Sequence, residues 1–248
     1  MIQLRGLTKK LGSKQVLNDL DLVIPTGETM VILGRSGSGK SVLLKHIIGL
    51  MHPDAGNIEV DGEDVATLDE GELNRVRQRF GMLFQGAALF DSLTVGENIA
   101  LPLREHTKLK DAEIRRRVAE RLAWVGLEGV ERMKPASLSG GMKKRVGLAR
   151  AIAMDPAYIL YDEPTTGLDP IMSDVINKLI RSLQQRIGVT SVVVTHDLHS
   201  AWHVGDRMAL LHEGRVHFSG TPDEARATSD ALVHQFIAGS SEGPVLAV

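Results

Sequence analysis

Two hydrophobic periodicities alternate along the chain. Ile2-Gln3-Leu4-Arg5-Gly6-Leu7 and Leu20-Asp21-Leu22-Val23-Ile24 alternate apolar and polar positions like half-buried strands, and Asn57-Ile58-Glu59-Val60 before Asp61-Gly62 adds a hairpin signal. Thr29-Met30-Val31-Ile32-Leu33, Gly81-Met82-Leu83-Phe84, Tyr158-Ile159-Leu160-Tyr161 and Ser191-Val192-Val193-Val194-Thr195 are continuous apolar runs, the pattern of strands covered on both faces of a parallel sheet. Residues 42–50, 111–124 and 142–154 carry helical spacing. The pattern predicts an α/β fold: a mostly parallel core sheet, an antiparallel β subdomain and a helical subdomain at about 86–155. Residues 1–238 are expected to form one domain, with 239–248 as a C-terminal tail.

Candidate chemistry sits where these runs end. Gly34-Arg35-Ser36-Gly37-Ser38-Gly39-Lys40-Ser41 joins an apolar run to a helical one and fits the phosphate-loop pattern G-x-x-x-x-G-K-[ST]. Its glycines let backbone N–H groups curl toward an anion, and the helix start that continues through Val42 adds partial positive charge. Lys40 is expected to reach the β- and γ-phosphates of a nucleotide, and the Ser41 hydroxyl to bind Mg²⁺. Asp162 and Glu163 end a second apolar run. In phosphoryl transfer, a strand-end aspartate holds Mg²⁺ while a separate group orients the attacking water, which assigns Asp162 to the metal and Glu163 to the base.

With Leu138-Ser139-Gly140-Gly141-Met142 added, the chain resembles the ABC ATPases over nearly its full length. The resemblance implies a P-loop NTPase fold of the ABC type. Two copies pair head to tail, so that each nucleotide lies between one chain's phosphate loop and the other's signature at 138–142. It further implies that Gln85 senses Mg²⁺ and the γ-phosphate and serves catalysis, in a loop that touches a membrane subunit. Asp169 passes signals between the two ATPases, and His196 contacts the γ-phosphate. Two departures stand out: Met142 replaces the glutamine that often ends the signature, and Leu11 occupies the place of the aromatic that commonly stacks on adenine. Base contact then falls to Leu11 and Val16, by apolar area rather than ring stacking.

Phe84 to Val95, Asn98 and the run Pro102-Leu103-Arg104-Glu105-His106-Thr107 look like the ATPases of the Mla and MCE lipid transporters. That likeness implies a phospholipid transporter in a diderm bacterium. Its partners are integral permease subunits, an MCE-domain protein and a small STAS-like regulator, and its place is the cytoplasmic face of the inner membrane. The alternatives are an importer or exporter of small polar solutes, a soluble ABC ATPase acting on nucleic acid or ribosomes, and a phosphate-loop kinase. A single motif set without a long heptad insert speaks against the second, and the signature with His196 against the third.

Composition narrows the picture modestly. The 248 residues carry a net charge of −2, which provides no global field for nucleic acid, and with no cysteine there are no disulfides or thiolate metal sites. No apolar run approaches the roughly 20 residues a membrane helix needs, and no secretory leader pattern opens the sequence. Lys143-Lys144-Arg145 is expected on a solvated or anion-facing helix side, and Arg115-Arg116-Arg117 on a solvated one offset by Glu113 and Glu120.

Overall fold

The computed structural model describes residues 1–244. They form two compact units: Met1–Ala66 with the chain from Val194 onward, and Thr67–Val193. The first unit opens with β1 (Ile2–Leu11), β2 (Lys14–Ile24), β3 (Thr29–Leu33), α1 (Lys40–Ile47), β4 (Ala55–Val60) and β5 (Glu63–Asp64). β2, β1, β4 and β5 lie side by side in that order, antiparallel throughout. Ile2 faces Ile24 and Leu4 faces Leu22 across the β1/β2 ladder, all four buried, as strict alternation requires. The β1/β4 ladder shifts register between Arg5 and Thr8, and there a Cβ on Gly56 would lie 2.4 Å from the Gly6 carbonyl oxygen. Asp61 and Gly62, at φ 51° and 86°, form the two-residue connection into β5, with both residues left-handed as in a type I′ hairpin.

The second unit contains α2 (Glu70–Arg77), β6 (Phe80–Leu83), α3 (Val95–His106), α4 (Asp111–Trp124), a short 3₁₀ turn (Pro135–Ser137), α5 (Gly140–Ala151), β7 (Tyr158–Asp162), α6 (Pro170–Ile187) and β8 (Thr190–Thr195). The strand order is β8-β7-β6, with β6 and β7 parallel. Tyr158 to Tyr161 are all buried, which explains their unbroken apolar run. α6 shows the opposite pattern, burying one stripe, Ile176, Ile180 and Leu183, with Asn177 beside it. It starts at the Asp169 cap with Pro170 in its first turn and stops at left-handed Gly188.

Pro102 stands inside α3; Leu103 beside it is fully buried, and the helix ends where Thr107 Oγ1 donates to the Leu103 carbonyl at 2.6 Å. On α4, Arg115 and Arg116 are solvated, but Arg117 pairs with Asp155 at 3.2 Å, and buried Arg121 pairs with the same carboxylate. Asp155 therefore takes part in offsetting the run.

β8 carries the chain back, its last two residues, Val194 and Thr195, belonging to the first unit. There follow α7 (Leu198–Val204), β9 (Arg207–His212), β10 (Arg215–Gly220), α8 (Pro222–Ala227) and α9 (Ala231–Ala238). β9 lies between β3, which it parallels, and β10, to which it is antiparallel. β3 is buried over its whole length. Of the expected tail, residues 245–248 lie outside the described residues.

Candidate functional site

In the first unit, residues 34–39 turn the chain from β3 into α1. Gly37 and Gly39 have φ of 74° and 105°, backbone that L side chains rarely adopt, and Gly39 is the residue from which α1 starts. Gly34 is needed for space, since a Cβ there would lie 2.7 Å from the Leu211 carbonyl oxygen. Lys40 is buried, and its ammonium folds back over the loop, donating to the carbonyls of Gly34 at 2.8 Å and Arg35 at 3.1 Å. Arg35, Ser36, Gly37 and Ser41 are exposed, Val42 half-buried. The Ser38 hydroxyl is buried without a hydrogen-bond partner among the described residues, an orphan that an incoming phosphate oxygen would satisfy. A cavity of about 860 Å³ opens over Gly34 to Ser38; its other walls include His196, Phe236, Ser240 and Pro244.

His196 follows β8 directly and is exposed, so the structure does bring it to the same cavity as the phosphate loop. Val16, on β2, is buried against Gly39, whose Cβ would come 2.9 Å from the Val16 carbonyl oxygen. Leu11 pairs with Lys14 at the tip of the β1/β2 hairpin and is 43% exposed, a free apolar surface of the kind a base contact needs.

In the second unit, Asp162 ends β7 half-buried, while Glu163 is buried and left-handed at φ 49°. For a non-glycine residue such backbone costs on the order of 1–3 kcal/mol and persists only when its neighbours hold it. Three contacts do so. Thr166 Oγ1 donates to Glu163 Oε2 at 3.1 Å, the Thr166 N–H donates to the Glu163 carbonyl at 3.3 Å, and Lys144 Nζ donates to that carbonyl at 3.1 Å.

Ser139 caps α5, its hydroxyl accepting from the Met142 N–H at 3.3 Å; Ser139 and Gly140 are exposed and Leu138 is buried. Gly141 packs on Met172, whose Cε would lie 2.5 Å from an added Cβ. Asp169 is exposed and caps α6, Oδ1 accepting from Ile171 and Met172 at 3.0 Å. Gln85 is exposed just after β6, in a loop that passes through left-handed Ala87 and Ala88. Arg150 of α5 clamps this loop, donating to the carbonyls of Ala88 at 2.7 Å and Ala87 at 2.8 Å. Asn98, fully buried, accepts from the Phe90 N–H at 2.8 Å.

Thr166 went unread in the sequence, and so did the contacts by which Lys144, Arg150 and Asn98 hold these loops. The basic run 143–145 does not form the expected solvated or anion-facing side. Lys144 is buried, and Arg145 donates to the carbonyls of Val125 and Gly126. A signal existed: Lys144 falls on the buried stripe Gly141, Lys144, Leu148, Ala151.

The same fold is found in known nucleotide-binding cassettes. A dimeric ATP-binding cassette solved in a post-hydrolysis state with ADP and Pi matches with a TM-score of 0.82 at 37% identity, covering 89% of this chain and 98% of that one. A cassette of an ABC transporter complex from Clostridium perfringens matches with a TM-score of 0.83 at 31% identity, covering 91% and 90%.

The ABC transporter family pattern matches residues 17–166, and the chain belongs to that family as an ATP-hydrolysing, ATP-binding subunit. The "Probable ribonucleotide transport ATP-binding protein mkl" of Mycobacterium tuberculosis is 46% identical over 98% of this chain and 68% of its own length. The "Intermembrane phospholipid transport system ATP-binding protein MlaF" is 42% identical in Haemophilus influenzae, over 99% of this chain and 93% of that protein. In Escherichia coli the figures are 39%, 99% and 91%. ABC ATPase domains dimerise and pair with membrane permeases, and among the described residues no helix is long and apolar enough to cross a membrane.

Proposed function

We propose that the chain powers the movement of phospholipid between the two membranes of a diderm bacterium. Two copies would work head to tail on permease subunits at the cytoplasmic face of the inner membrane, with an MCE-domain protein and a small STAS-like regulator. The observation that carries this reading is the 42% and 39% identity to two phospholipid-system ATPases along nearly the whole of both chains. The 46% identity to a protein named for ribonucleotide transport favours a second reading, a transporter of small polar solutes.

In the proposed mechanism, residues 34–42 hold the triphosphate, with Lys40 leaving its loop carbonyls for the β- and γ-phosphates. Leu11 and Val16 contact the base. Ser41, Asp162 and Gln85 supply hydroxyl, carboxylate and amide oxygens, a hard donor set that suits Mg²⁺; when bound, the ion neutralises charge on the phosphates. Glu163 accepts a proton as the water oxygen bonds to the γ-phosphorus and the bond to ADP breaks. His196 contacts the γ-phosphate, residues 138–142 serve the other copy's nucleotide, and Asp169 links the two sites.

Purifying the membrane complex from its host and reconstituting it in liposomes tests the assignment. Phospholipid identified by mass spectrometry, with ATPase activity that rises on adding phospholipid, is the expected result. Stimulation by ribonucleotide or another small solute, with no response to lipid, would overturn it in favour of the second reading.

A further inference from the structure

The ammonium of Lys144 is buried on a helix that begins with the signature, yet its hydrogen bond goes to the backbone of Glu163. Burial lowers the Lys144 pKa, while the Asp162 and Glu163 carboxylates act in the opposite direction. A buried cation on a carbonyl is a strong hydrogen bond, stronger than the neutral contact from the Thr166 N–H. The carbonyl it holds belongs to a left-handed residue. Were that peptide to relax, its carbonyl would turn and the Glu163 side chain would leave with it, because both hang from the same strained backbone. Lys144 therefore opposes the one local motion that would misdirect the carboxylate.

The position of Lys144 on α5 adds a second consequence. It lies about 7.5 Å along the axis from the Ser139 cap, so a shift of the signature is felt at the Glu163 carbonyl with little slack between. Gly147 keeps the helix in register further along, where a Cβ would lie 2.8 Å from Leu83 Cδ1 of β6.

We propose that Lys144 is a positioning residue for Glu163. It locks the strained peptide that presents the base, and it ties the base of one ATP site to the signature that serves the partner copy's nucleotide. The proposal rests on Glu163 being the base.

The test compares Lys144→Met, Lys144→Arg and Glu163→Gln in the purified transporter complex, together with ATP-dependent dimerisation of the isolated chains. Lys144→Met keeps an unbranched side chain, one atom shorter, and removes the donor. It should lower kcat by at least about tenfold while the KM for ATP stays within about twofold, and Lys144→Arg should recover most of the loss. Lys144→Met combined with Glu163→Gln should dimerise on ATP as Glu163→Gln does alone. If Lys144→Met fails to fold, Lys144→Gln, with its shorter donor, should show the same split in milder form. An unchanged kcat in the Met and Gln variants, with Glu163→Gln inactive, would overturn the proposal. So would a raised KM with lost dimerisation, since that would place Lys144 at the partner copy's phosphates. Normal turnover in Glu163→Gln would instead remove the base assignment itself, and the proposal with it.

Discussion

Leu11 stands where an aromatic that stacks on adenine is expected from the family resemblance, and its consequence is measurable. At the exposed hairpin tip it offers apolar area but no ring. Phosphate contacts should then dominate affinity, leaving little discrimination between ATP and GTP. Leu11→Tyr should tighten ATP by up to about tenfold, from the roughly 0.5–1.5 kcal/mol of an added aromatic contact. Titrating wild type and variant with both nucleotides checks this; strong ATP preference in wild type with no gain in the variant would put the adenine contact elsewhere. At this scale legibility followed geometry. Gly37, Gly39 and Lys40 were readable because a phosphate cradle demands left-handed backbone and a cation at fixed spacing. Lys144 was not, because a lysine inside a basic run reads as solvated unless the partner that buries it is known. Glu163 was readable as a carboxylate at a strand end, but nothing local announced its left-handed backbone, which depends on contacts from α5 and Thr166.

Helix α5 shows what an element adds to its residues. From two faces it holds three left-handed positions: Glu163 through Lys144, and Ala87 and Ala88 through Arg150. Burial lowers the Arg150 pKa, though a guanidinium remains charged. Two charge-assisted bonds anchor the loop after Gln85 at one end, and Asn98 anchors it at Phe90. Losing the first pair should weaken local closure by about 1.5–3 kcal/mol. In Arg150→Met, hydrogen exchange at the Ala87 amide should accelerate by about 10- to 100-fold, and that at Phe90 less. Equal, unaltered exchange at both would mean that Asn98 alone orders the loop. The strands were legible because period two and unbroken apolar runs survive any packing. α3 was less so: a proline disfavours a helix interior, yet the helix continues through Pro102 with Ile99 and Leu103 buried on either side of it in the sequence.

For the whole molecule, the sharpest expectation separates what a single chain does from what a pair does. In the proposed composite site, Lys40 acts on its own chain's nucleotide and Ser139 on the partner copy's. Lys40→Ala should therefore weaken ATP binding to the isolated chain by at least about tenfold, while Ser139→Arg leaves that binding intact and abolishes ATP-dependent dimerisation. Calorimetry on the single chain and light scattering on the ATP-loaded sample distinguish the two; equal loss of single-chain affinity would contradict the composite site. The cavity over the phosphate loop has one further consequence. Part of its wall is Ser240, Ser241 and Pro244, close to the carboxyl end of the described chain. A nucleotide lodged there would shield these residues from endoproteases, so protection of the Ser240–Pro244 stretch from cleavage, weak without ATP and clear with it, would report occupancy of the site without any label on the nucleotide.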